Sequence, residues 1–130
     1  SKNMQKLLRS FQRFLGGHPL LDRDAFFAYF HKLPDKIQVG WFRDGKFIIG
    51  EINDGEHQFK TQAKSAQEFV KMVNDAIYTL HDIPADYVEE LEKVKTYNPK
   101  PDELKKLADK NVEGSSLNLI RIKDTQLVGA

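Results

Sequence analysis

The spacing of apolar positions changes along this chain, and each change predicts a new element. Met4, Leu7, Leu8, Phe11, Phe14 and Leu15 recur at helical spacing, which predicts a helix over residues 4–15, ended by Gly16-Gly17. Asp22 is expected to cap a second helix over 23–33, with Phe26, Phe27, Tyr29, Phe30 and Leu33 as its apolar set and Pro34 as its stop. Five of the nine phenylalanines fall in this helical pair.

The period then becomes two. Ile37, Val39 and Trp41 alternate with Gln38, Gly40 and Phe42, which predicts a strand over 37–43. Asp44-Gly45 is a two-residue hairpin signal of the type I′ kind, with positive φ at both central residues. Lys46 to Ile52 is the return strand, and its nearly unbroken apolar run predicts partial cover on both faces. Asn53-Asp54-Gly55 turns the chain again into a third, more polar strand over 57–62, suited by Lys60 and its glutamines to a sheet edge.

Ser65-Ala66-Gln67-Glu68 is a capping box. The helix it opens is expected to run to Leu80 and to lay Phe69, Val70, Val73, Ala76, Ile77 and Leu80 on the sheet, leaving Lys71, Asn74, Asp75 and Tyr78 partly exposed. Pro84 opens a further helix to about Lys95, and Pro101-Asp102-Glu103 a short last one. Gly114-Ser115-Ser116 reads as a loop, 117–123 as a final strand, and 125–130 as a frayed tail. The fold class expected is α+β: a three-stranded antiparallel meander plus a fourth C-terminal strand, packed by an amphipathic helix, with an N-terminal helical hairpin and additional C-terminal helices. Residues 1–34 read as a helical appendage, and 35–130 as the α+β domain with a helical insertion over 84–110.

Composition narrows the chemistry. The chain has 130 residues, enough for one workable core. It has no cysteine, so disulfides and thiolate metal sites are excluded, and a cytoplasmic location is expected. No apolar run approaches a membrane span. The net charge of +1 conceals an asymmetry. Residues 1–34 hold six Lys/Arg against two acids (+4), 35–82 six against eight (−2), and 83–130 eight against nine (−1).

No catalytic pattern emerges. His18, His31, His57 and His81 form no HxxxH or HExxH pair and fall in different predicted elements, so surface or capping roles are expected. Gly45, Gly50 and Gly55 read as hairpin punctuation rather than a phosphate cradle. Asp44 and Asp54 sit at opposite ends of the second strand, too far apart to share a metal. The expectation is a non-enzyme without cofactor or metal.

Two passages carry a family resemblance. "IQVGWFRDGKFIIGEI" gives a strand, an Asp-Gly turn and a second apolar strand; "KTQAKSAQEFVKMVNDAI" gives a Thr-Gln pair, a polar turn, a capping Ser, an acid and a helix. The stretch 37–80 resembles the core of HicB-family antitoxins, and "LNLIRIK" suits the strand that pairs back. The chain departs from that pattern at Asn53 to His57 and at Ala63, where the family usually carries a Pro-rich turn and a Gly. The resemblance implies a truncated ribonuclease H-like sheet that binds and neutralises a small basic RNA-cleaving toxin. On that analogy, the partner surface is expected at His57, Lys60, Glu68, Lys71, Asn74, Asp75 and Tyr78.

Two other readings stand beside it. One is an interaction or scaffold module that uses the Phe-rich N-terminal helices, for instance to form a homo-oligomer. The other is a weak nucleic-acid-binding protein contacting phosphates through Lys2, Lys6, Arg9 and Arg13.

Overall fold

The fold was obtained as a computed structural model, which describes residues 21–121. The expected first helix (4–15), its basic residues and the expected tail lie outside that range. Four strands form one antiparallel sheet: β1 (Lys36–Asp44), β2 (Phe47–Asn53), β3 (Gln58–Ala63) and β4 (Gly114–Arg121), in spatial order β3-β2-β1-β4. Four described helices accompany it: α1 (Arg23–Lys32), α2 (Ala66–Leu80), α3 (Ala85–Val94) and α4 (Pro101–Ala108). This is the expected α+β class, with β3 at one edge and β4 pairing back on β1.

Alternation sorts the sheet into two faces. Ile37, Val39 and Trp41 of β1, Ile48 and Ile52 of β2, and Thr61 and Ala63 of β3 are buried on one face. Phe69, Val73 and Ile77 of α2 join them in the core, together with Leu91 and Val94 of α3 and Leu107 of α4. Phe26 and Leu33, from α1 and its end, belong to the same buried cluster. The opposite face carries Gln38 and Phe42 of β1, Ile49 and Glu51 of β2, and Lys60 and Gln62 of β3.

Local chemistry explains the boundaries. Asp22 accepts the Ala25 amide at 2.8 Å and starts α1. Ser65 Oγ accepts the Glu68 amide at 3.1 Å and starts α2; Glu68 reaches back to the Lys64 amide at 3.2 Å, one residue beyond the usual box partner. α2 closes in a Schellman arrangement. The Asp82 amide bonds the Thr79 carbonyl and the Ile83 amide the Tyr78 carbonyl, with Asp82 at φ 56° in place of the customary Gly.

Three sequence expectations need correction. The β1–β2 turn has Gly45 and Lys46 at its centre, because Asp44 already pairs with Phe47; Gly45 has φ 60°, whereas Lys46 is not among the positive-φ residues. Glycine alone at the first central position fits a type II′ turn, not type I′. Gly50 is not punctuation but lies in mid-strand beneath α2. Finally, β4 begins at Gly114 rather than 117, because β1 extends far enough for Phe42 and Trp41 to pair with Gly114 and Ser115. A Cβ on Gly114 would stand 2.8 Å from the Trp41 carbonyl oxygen, so the bare backbone permits this approach.

Candidate functional site

The most concentrated polar chemistry among the described residues lies where the β2–β3 turn meets the end of α2. The topology dictates the meeting. β3 has six residues, about 20 Å of strand. After a tight turn at Lys64-Ser65, α2 packs on β3 and β2, and its fifteen residues span about 22 Å. The residue that precedes β3 and the residue that follows α2 therefore arrive at the same end of the sheet. They are His57 and His81.

Asp54 joins them. Its side chain is buried, and Oδ1 accepts the amides of Glu56 (2.9 Å) and His57 (2.6 Å), so the carboxylate organises its own turn. The Asp54 amide in turn bonds the His57 carbonyl at 3.0 Å. Oδ2 faces both imidazoles, with His81 Nε2 at 2.7 Å and His57 Nδ1 at 3.2 Å. The two rings meet edge to face, centroids 5.1 Å apart. His81 is the C-cap of α2 and is buried, while His57 keeps about a third of its side chain (34%) open to solvent. Glu56 brings a second carboxylate, Oε2 standing 4.0 Å from His81 Nδ1.

Burial pushes the Asp54 carboxyl up, but the His57 amide, the His81 ring, the Glu56 amide and the His57 ring all bond its charged form. Together they outweigh burial and hold the group below the usual carboxylate range. An ionised carboxylate only accepts, so each ring nitrogen that faces Oδ2 carries a proton. The arrangement can clamp the turn to the helix, and its donor set can also hold a cation: one ligand atom from each of the three side chains lies within 4.8 Å of the other two.

No spacing motif marks this cluster in the chain, since its members sit in a turn and beyond a helix. The signal that could have found it was arithmetic: a strand and an antiparallel helix of matched length, flanked by two histidines.

The residues expected to bind a partner do not form one surface. Tyr78 is buried, and its hydroxyl donates to the Lys95 carbonyl at 2.6 Å; the segment after α3 packs on that flank of α2. Asn74 is half-buried and spoken for, accepting the Tyr97 amide at 2.8 Å and donating to the Tyr97 carbonyl at 3.0 Å. Glu68, Lys71 and Asp75 are exposed on the helical layer. Lys60 is exposed too, but on the other side of the molecule, where it pairs across strands with Glu51. His57 belongs to the turn before β3 and is tied to Asp54. Lys2, Lys6, Arg9 and Arg13 lie outside the described residues.

On the sheet face away from the helices, an open groove of about 510 Å³ runs along Gln38, Glu51, Asn53, Gln58 and Lys60. On the same face Phe42 is 43% exposed, while its cross-strand partner Ile49 and nearby Phe47 are half-buried. Among the described residues, no helix is long and apolar enough to cross a membrane. Comparison with protein-family models, curated proteins and solved structures returns no match.

Proposed function

We propose that the chain is a non-catalytic binding protein of the antitoxin type, which neutralises a small basic RNA-cleaving toxin through the open face of its sheet. The observation that carries this reading is Phe42. A large aromatic side chain stands exposed near the hairpin end of β1, on the face of the sheet away from the helices, with Ile49 and Phe47 beside it. An aromatic patch flanked along the sheet by polar groups such as Glu51, Lys60 and Gln38 suits a binding surface, in which the aromatic end supplies affinity and the polar groups orientation. The similarity of residues 37–80 to HicB-family antitoxins supplies the class of partner. Glu68, Lys71 and Asp75 lie on the helical layer and are not part of this patch.

The test is growth rescue with a basic ribonuclease co-encoded beside this chain. The wild-type chain should rescue growth and co-purify with the ribonuclease. Phe42→Ala and Glu51→Lys should abolish both at unchanged melting temperature, the second by setting a positive charge against a basic partner, while Asp75→Lys should keep them. Rescue that survives Phe42→Ala and Glu51→Lys but fails with Asp75→Lys would move the surface to the helices; absence of rescue by the wild-type chain would end the antitoxin reading.

A further inference from the structure

We propose that Asp54, His57 and His81 form a binding site for a divalent transition-metal ion of the zinc class. Two imidazole nitrogens and one carboxylate oxygen are a donor set that suits zinc and its first-row neighbours; magnesium and calcium prefer oxygen alone, and no thiolate is present to favour copper(I).

The geometry is close to what such an ion needs. With metal–ligand bonds of about 2.0–2.1 Å, tetrahedral neighbours stand about 3.3 Å apart. The Asp54 Oδ2 to His57 Nδ1 distance is 3.2 Å, that to His81 Nε2 is 2.7 Å, and no pair in the set exceeds 4.8 Å. Entry of an ion therefore requires the contact between Asp54 and His81 to open by about half an ångström, which a turn of the His81 ring supplies, and the two imidazole nitrogens, no more than 4.8 Å apart, to close toward the same spacing. The partly exposed His57 side gives the ion a way in and leaves room for a water as further ligand.

Proton accounting favours the same arrangement. Both ring nitrogens that face Asp54 carry hydrogen in the metal-free protein. To ligate, each imidazole must present that nitrogen bare, and a neutral ring does so by moving its hydrogen to the other nitrogen. For His81 that nitrogen is Nδ1, which already faces Glu56 Oε2 at 4.0 Å. A carboxylate behind a ligating imidazole is the usual outer partner of such sites: it fixes the tautomer and the ring orientation. Asp54 is held likewise, since Oδ1 is fixed by two backbone amides while Oδ2 is presented to the ligand side. The three ligands come from the β2–β3 turn and the end of α2, so an ion here would tie the tip of a hairpin to a helix terminus. The proposal is independent of the partner reading above.

The experiment uses the full chain, stripped with chelator and titrated with zinc chloride by calorimetry, with melting temperature recorded at each zinc level. Wild type is expected to bind one ion per chain and to melt at a temperature that rises with zinc. His57→Ala removes a partly exposed ligand, and His81→Gln keeps a side-chain donor for Asp54 while removing the imidazole. Both should weaken zinc binding by more than about 100-fold and abolish the melting shift, a larger effect than the 10–100-fold typical of losing an outer partner. Glu56→Gln should weaken it within that smaller range. His31→Ala, on the exposed end of α1, should change nothing. Absence of one-to-one binding in the wild type overturns the site, as does binding that both His57→Ala and His81→Gln leave intact. If either variant is unfolded before zinc is added, Glu56→Gln and His31→Ala decide: equal affinities in the two overturn the proposal.

Discussion

Gly50 lies beneath the Phe69 ring: a Cβ at Gly50 would stand 2.6 Å from Phe69 Cε1 and 2.5 Å from Thr61 Oγ1. The first turn of α2 thus rests on bare backbone in the middle of β2. Replacing Gly by Ala in a strand ordinarily gains about 0.5–1 kcal/mol from chain entropy. Here the methyl has to displace a fully buried ring, an overpacking cost of about 1–3 kcal/mol, so the net effect is a loss. Gly50→Ala should lower the urea midpoint, and the loss should shrink in a Phe69→Leu background, where the ring is gone. An equal loss in both backgrounds would mean that the ring does not define the cost. Phe69→Ala alone should cost about 3–5 kcal/mol.

Thr61 gives the opposite sign. Its hydroxyl oxygen is buried on the helix face of β3 and has no hydrogen-bond partner among the described residues. An unpaired hydroxyl in such a place costs about 1–3 kcal/mol, and a methyl fills nearly the same space. Thr61→Val should therefore stabilise the protein by about 1 kcal/mol, read as a higher urea midpoint at unchanged slope. A lower midpoint would show that the hydroxyl is satisfied by water.

The alternating pattern of β1, the polar edge strand and the capping box were legible because each is a local signal whose period or spacing survives folding. What the sequence hid came from contacts between elements. Helical periodicity points Tyr78 outward because it registers only the stripe of α2 that faces the sheet; the segment around Lys95 and Tyr97 covers a second flank. Lys60 and Asp75 looked like neighbours because β3 and α2 are consecutive. Period two, however, sends Lys60 to the face opposite the one that receives α2, together with Gln58 and Gln62. Gly50 resembled the turn glycines on either side of it, since nothing in a single glycine tells close packing from a positive φ. His57 and His81 stand as lone histidines in the sequence; only the matched lengths of β3 and α2 bring them together.

Tyr78 and Tyr97 should make the fold sensitive to alkali. Burial pushes both hydroxyls well above their ordinary value of 10.0, with the charge of Glu92 adding to the rise at Tyr78 and that of Glu103 at Tyr97. The unfolded chain releases these protons first as pH rises, whereas the folded chain retains them. The stability they contribute is complete below pH 10 and is lost above it, by about 1.4 kcal/mol per pH unit for each tyrosine and about 2.7 for the pair. Urea unfolding at pH 8 and at pH 11 should reveal the loss, and Tyr97→Phe should halve its slope. A flat profile to pH 11 would mean that the hydroxyls reach solvent in the folded state.

Arg43 should be the residue on which the C-terminal third depends. Its Nε donates to the Val112 carbonyl at 2.6 Å, and Nη2 reaches the carbonyls of Leu107 (2.7 Å), Asp109 (2.6 Å) and Lys106 (3.0 Å). The carbonyls of Lys106 and Leu107 are among those the last turn of α4 leaves without helical partners, and a cation beside them also favours the helix dipole. The Arg43 amide pairs with the Glu113 carbonyl at 2.7 Å, and the guanidinium lies 5.1 Å from the Trp41 ring centroid. One side chain of β1 thus fastens both the end of α4 and the lead-in to β4. Lysine cannot replace it: a single ammonium lacks the planar fork that serves Val112 and the helix end together. Arg43→Lys should cost about 1.5–3 kcal/mol, the range for losing hydrogen bonds to a charged group. The damage should also be local. Amide exchange should quicken in α4 and residues 112–115 well before it quickens in α2, whose end is closed by its own Schellman turn. Uniform quickening across α2 and α4 would mean that Arg43 supports the whole fold rather than this end of it, and unchanged exchange in α4 would mean that its contacts are not what hold that helix down.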